Sequence, residues 1–386
     1  MSEMQSICAI NGVTAWGVKE GKFGLALIRA EGVSAAAFTK NIAMAAPIIL
    51  MRERIKRGRL SATITNSGCA NALTGQRGIS DAEEMAAIAA EELSLSPLEV
   101  GVASTGVISR YLDLPLIRDQ CHRIAPFLER SPVAEIRAAK AIMTTDLVEK
   151  HTLIQKEGFS IGGICKGSGM IAPNMGTMLG YVYTDVEISA GDLGEALKTA
   201  VKRSFNRVVV DGDTSTNDVV FCTATGTAGE VNLGEFTAAL EECCISLGRQ
   251  IAKDGEGASK LIEVHIRGAR TEEEADLVAR TVVSSPLVKT SVYGEDPNWG
   301  RIVAAAGRSG AEFDPQDVSC WISGSGVRAA VCLRGILSED LAAARAALRG
   351  REIGIELDLA SGDGSATAWG CDLTEKYVEI NGKYTT

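Results

Sequence analysis

Histidine is scarce in this chain, with only His122, His151 and His265 in 386 residues. No two of them have HxxxH spacing and no Cys/His cluster accompanies them, which removes the usual donor pattern of a zinc site. His265 alternates with apolar residues in LIEVHI and reads as an ordinary strand residue. So few imidazoles fit a Ser-His-Asp hydrolase poorly, and a nucleophilic enzyme built here would take its base from elsewhere. The ten cysteines form no CxxC pair, and several, such as Cys222 and Cys332, sit in apolar runs. That suits free thiols buried in a reducing cytoplasm better than a disulfide framework. Aromatic residues make up only 5%, so the core is expected to pack from small and branched side chains. Positive charge is short as well. The net charge is −10, and Arg52–Arg57 is the one notable basic run, which argues against a nucleic-acid partner. No window approaches a membrane-spanning helix, and the N-terminal MSEMQSICAING lacks the pattern of a signal peptide.

What is present is a mixed pattern of strands and helices. The length exceeds the size at which one core stops growing, so two core-sharing parts are expected. Strands are expected at 25–28, 62–65, 159–165, 178–183, 208–210, 219–222, 261–266, 329–333 and 353–359. Helices are expected from the capping box at Ser80 to Leu93, after Thr271, around Phe236–Ile251, at 193–205 and at 339–348. These elements do not alternate as strict βαβ units. They predict a layered α/β (α+β) architecture rather than a Rossmann fold or a barrel.

The most informative stretch is Lys166–Leu179, KGSGMIAPNMGTML. Thr177 follows the small Gly176, whose peptide bond is sterically open, and precedes an apolar run. Cleavage at that bond would leave Thr177 as a new N-terminus, with a hydroxyl nucleophile and its own amine as base. That strand should pair with strands from both sides of the cut, so the boundary is chemical and does not separate domains. Three further segments are dense in small and polar residues: 66–78, Ala103–Ile108 and Val210–Asp218. Taken singly, each is more often a turn than a site. Beside a threonine nucleophile, Thr105 and Gly106 gain a second reading. A hydroxyl and an unhindered N–H side by side can stabilise the oxyanion of a tetrahedral intermediate.

KGSGMIAPNMGTML, together with NSGCANALTG, ASTGVISR, AIMTTD, FNRVVVDGDTSTND, DGEGASK, DPNWGRI, AWGCDLT and YVEINGKYTT, strongly resembles the ornithine acetyltransferase family (glutamate N-acetyltransferase, the ArgJ family) of arginine biosynthesis. The resemblance spans nearly the whole chain. It implies a DmpA/ArgJ-like α/β fold, related in mechanism but not in topology to the Ntn hydrolases. It also implies a precursor that cuts itself into an α chain (1–176) and a β chain (177–386), assembled as an α2β2 heterotetramer. By motif match Thr177 is the nucleophile, Thr105 and Gly106 form the oxyanion hole, and Thr144, Lys166, Thr177, Glu256, Asn381 and Thr386 contact substrate. The implied reaction moves an acetyl group from N2-acetylornithine to glutamate with no metal or cofactor. Whether acetyl-CoA also serves as donor stays open. One departure is visible: the family commonly carries Ala-Thr at the scissile bond, where this chain has Gly176-Thr177. The residues alone leave two rivals, a DmpA-type N-terminal-nucleophile aminopeptidase or amidohydrolase and a processed binding protein without activity.

Overall fold

The computed structural model describes residues 3–172, 178–338 and 340–383. Among them the strands gather into two sheets. The first contains β1 (Thr14–Glu20), β2 (Phe23–Phe38), β3 (Arg59–Cys69), β4 (Val100–Val107), β5 (Lys150–Lys156), β6 (Phe159–Lys166), β7 (Leu179–Glu187) and β9 (Val219–Glu230). The second contains β8 (Val208–Val209), β10 (Leu261–Ala269), β11 (Ser319–Gly324), β12 (Val327–Leu333), β13 (Ile336–Leu337), β14 (Glu352–Asp358) and β15 (Gly364–Cys371).

The first sheet runs β4-β3-β2-β9-β7-β6-β5, with β1 paired to the first half of β2. In β7, Leu179, Tyr181 and Tyr183 face one core while Val182 and Val186 face another. Apolar residues on both faces are what a strand needs to lie between two helical layers. Helices Ala46–Arg54, Gly75–Leu93, Leu114–Ile124 and Pro132–Ala141 cover the first face, and Ala190–Arg203 and Leu233–Lys253 cover the second. As expected, the apolar run after Thr177 pairs on both sides: β7 is antiparallel to β6 before it and parallel to β9 after it.

The second sheet runs β13-β12-β11-β14-β10-β15-β8. Ile262, Val264 and Ile266 of β10 face a third core beneath helices Glu272–Val283, Pro286–Tyr293, Trp299–Gly307 and Leu341–Leu348. The opposite face is mixed: Leu261, Trp369 and Cys371 join the second core, with polar pairs beside them. Trp369 Nε1 donates to Glu263 at 2.8 Å, and His265 Nδ1 lies 2.9 Å from the Thr367 hydroxyl. The short β8 joins the two parts, with Val208 in the second core and Val209 in the third. The layered α/β class is therefore found, and its two parts share elements. All ten cysteines are buried and free. Among the described residues no helix is long and apolar enough to cross a membrane.

Several sequence expectations need correction. The helix expected from Ser80 begins at Gly75, and Ser80 and Asp81 lie inside it. Its start is set by a turn in which the Thr74 hydroxyl donates to Asn71 Oδ1 at 2.8 Å and Asn71 Nδ2 donates to the Gly78 carbonyl. Thr271 does cap its helix, accepting from the Glu274 N–H. The last expected helix starts at Leu341, and Glu339 lies outside the described residues. The segment around Thr105 is no turn; it is the end of strand β4. The YVEI near the C-terminus, whose apolar residues would also suit a strand, is helical. It lies in helix Glu375–Lys383, after the Thr374 hydroxyl, which accepts from the Lys376 N–H.

Candidate active site

Strand ends bring the site together. Leu179, the first residue of β7, pairs with Lys166, the last of β6, and with Val219, the first of β9. Parallel register sets Thr105 and Gly106 of β4 beside Ser67 and Gly68 of β3. Gly106 has φ +128°, and a Cβ there would sit 2.4 Å from the Gly68 carbonyl carbon. Only glycine fits both that conformation and that approach.

A cavity of about 160 Å³ is lined by Thr105, Gly106, Thr144, Lys166, Glu256 and Asn381. These are six of the residues singled out from sequence, and they arrive from β4, β6, two loop segments and the C-terminal helix. Gly176, Thr177 and Thr386 lie outside the described residues. The described neighbour of Thr177 is Met178, whose N–H donates to Asp218 Oδ1 at 2.9 Å. Asp218 is fully buried, and that burial pushes its carboxyl well above the usual carboxylate range.

Sequence reading assigned no role to Thr145, Ser215, Thr216 and Asn217, which also line the cavity. Asn217 Nδ2 donates to the carbonyls of Ala70 (2.6 Å) and Ser104 (2.9 Å), pinning the loop before β9 to the ends of β3 and β4. The signal was available in DGDTSTND, whose polar run lies between two apolar strands. The hydroxyl of Thr145 lies 2.8 Å from that of Ser168.

The cavity lining carries one charge of each sign, from Lys166 and Glu256. Lys166 is 2% exposed, with Nζ 3.8 Å from Asp146. Burial works against ionisation of Asp146, but the charges of Lys166 and Lys150 outweigh it and hold the carboxyl well below the usual range. Lys150 Nζ lies 2.8 Å from Asp146 and 2.6 Å from Asp254. Close behind, burial and the charge of Lys166 push the Lys19 amine down to about 8. Also on the lining, Asn381 Nδ2 donates to Glu256 Oε2 at 2.8 Å, and the Glu256 N–H donates to the Ser168 carbonyl. The Glu256 carboxylate packs so closely on Gly169 that a Cβ at 169 would lie 2.3 Å from its carboxyl carbon. An ammonium and a carboxylate lining one cavity suit a ligand with both charges, such as an amino acid. Among the described residues no group of three His, Cys, Asp or Glu side chains is placed to hold a metal ion.

Residues 10–386 match the family model described as the ArgJ family. The chain belongs to the ArgJ family. It is 51% identical to the glutamate N-acetyltransferase of Methanosarcina mazei, over 98% of both chains. To the arginine biosynthesis bifunctional protein ArgJ of Symbiobacterium thermophilum it is 47% identical, over 95% of this chain and 93% of that one. A crystal structure of the arginine biosynthesis bifunctional protein argJ from Bacillus halodurans shares 41% identity, covering 52% of this chain and 96% of that chain, with a TM-score of 0.49. In this ArgJ-family chain the motifs fall where the cavity needs them. NSGCANALTG closes β3, ASTGVISR closes β4, AIMTTD carries Thr144, and DGEGASK carries Glu256.

Proposed function

We propose that this cavity is the acetyl-transfer site of a glutamate N-acetyltransferase, which passes the acetyl group of N2-acetylornithine to glutamate through an acetyl-threonine at Thr177. The observation that carries this reading is the convergence of Thr105, Gly106, Thr144, Lys166, Glu256 and Asn381 on one cavity. The names of the relatives at 51% and 47% identity supply the reaction class.

The steps need only protein groups, water and the two substrates. In the precursor, Thr177 Oγ attacks the Gly176 carbonyl, the C–N bond breaks, and the released amine takes up a proton. Water then hydrolyses the ester, giving chains 1–176 and 177–386. The free α-amine, with an ordinary value near 8, assists deprotonation of its own hydroxyl. In transfer, Oγ attacks the acetyl carbon and ornithine departs with its amine protonated. The amine of glutamate then attacks the acetyl-threonine and restores Oγ. The Thr105 hydroxyl and the Gly106 N–H hold the oxyanion at each stage, worth about 3 kcal/mol per well-placed donor. Lys166 pairs with the substrate α-carboxylate, Glu256 attracts the ornithine side-chain ammonium, and Thr144, Asn381 and Thr386 complete the contacts. We extend the reading to an α2β2 assembly in the cytoplasm, and leave acetyl-CoA as a second donor to the assay below. Buried free thiols accord with a reducing compartment.

Two measurements test it. Wild-type protein on a denaturing gel should run as two chains, and Thr177→Ala as one chain of about 40.6 kDa with no transfer activity. Incubation with N2-acetylornithine should release ornithine in a glutamate-dependent way. Release that ignores glutamate would identify an amidohydrolase instead, and CoA release from acetyl-CoA with glutamate would show the second donor.

A further inference from the structure

The carboxylate of Asp146 holds two segments of the site, yet it does not line the cavity. Its side chain is fully buried. Oδ2 accepts from the N–H of Thr144 at 3.0 Å, and Oδ1 accepts from the N–H of Gly167, next to Lys166, at 2.6 Å. The Lys166 and Lys150 ammoniums lie 3.8 and 2.8 Å away. Lys150 then bridges to Asp254, which also accepts from the Leu147 N–H at 3.0 Å and stands two residues before Glu256. One carboxylate thus joins the Thr144 segment, the end of β6 and, through Lys150, the segment that carries Glu256. A counter-ion for Lys150 alone would not need two backbone N–H groups from the residues that flank and form the site. Buried polar networks of this kind fix geometry because every member is paired.

We propose that Asp146 is the positioning residue of this site, holding Lys166 and Thr144 where they meet the carboxylate end of the substrate. The proposal rests on the functional reading above, in which Lys166 and Thr144 contact substrate.

The test uses full-length protein carrying Asp146→Asn, an isosteric change that keeps one acceptor and removes the charge. The KM for N2-acetylornithine should rise about tenfold or more, the scale of one lost charge-assisted contact, with kcat within about threefold of wild type. A second variant, Asp146→Asn with Lys150→Met, removes the buried ammonium that would otherwise lack half its pairing. It covers the case in which the single variant does not fold. If Asp146 served only to neutralise Lys150, the double variant would recover the wild-type KM, and that result overturns the proposal. A KM raised in the double variant as well supports it. Wild-type protein that fails to transfer acetyl from N2-acetylornithine would sink the functional reading and this proposal together. An active wild type beside variants of unchanged KM sinks the proposal alone.

Discussion

Alanine at Gly106 tests the join between fold and chemistry most directly. The added Cβ would lie 2.4 Å from the Gly68 carbonyl carbon, 2.6 Å from the Cys69 nitrogen and 2.7 Å from the Gly68 Cα. Ordinary carbon contacts begin near about 3.5 Å, so β3 and β4 would have to part by about 1 Å. The opposing atoms are backbone and no side chain can swing aside. A φ of +128° adds about 1–3 kcal/mol of strain for an L-residue, and overpacking adds about 1–3 kcal/mol more. The sum, about 2–6 kcal/mol, is a large part of the 5–15 kcal/mol that typically separates a folded domain from its unfolded chain. If the chain still folds, the 106 N–H is displaced by about 1 Å from where the oxyanion forms, which costs about 100-fold in rate. Differential scanning fluorimetry, a denaturing gel for chain cleavage and an acetyl-transfer assay read the three effects. A Gly106→Ala protein with the melting temperature and transfer rate of wild type would refute both the strain argument and the oxyanion assignment.

Two further outcomes follow from neighbouring geometry. Gly169→Ala should displace the Glu256 carboxylate, raising the KM for N2-acetylornithine about tenfold with little effect on the glutamate half-reaction, as steady-state kinetics with each substrate varied would show. Asp218 sets a pH dependence: its folded carboxyl holds a proton that the unfolded chain releases above about pH 4, so stability should fall as pH rises, by about 1.4 kcal/mol per unit, until the buried acid itself ionises. Asp218→Asn should remove that slope from urea-denaturation midpoints compared between pH 4.5 and 7, and equal slopes for both proteins would contradict it.

Legibility in the sequence followed the range of the interaction. Apolar runs such as Leu261–Ile266 and Val219–Cys222 announced their strands because a buried strand is written in consecutive residues. β15, with Gly364, Ser365, Ala366 and Thr367, gave no such signal, since its small residues earn their place by packing against helix Glu272–Val283. Thr105 and Gly106 read as a turn for the same reason: their smallness answers to Gly68 on the neighbouring strand, which pairing alone reveals. Thr144, Lys166, Glu256 and Asn381, which line the cavity, were readable only through family motifs. The Asp146–Lys150–Asp254 network was not readable at all, because Lys150 and Asp254 meet across 104 positions of chain.

The place of β7 in the first sheet also constrains events in time. From Leu179 to Thr184 it is laddered to β9 on one side and to β6 on the other. A backbone break just ahead of Leu179 would leave the upstream piece with β1 to β6 and the downstream piece with β7 and β9, interleaved in one sheet. Neither piece could close that sheet alone, so a break made at that bond after folding would leave both pieces joined by the ladders of one sheet. A ribosome that released the two segments as separate products would be setting an assembly problem that one continuous chain solves by folding first.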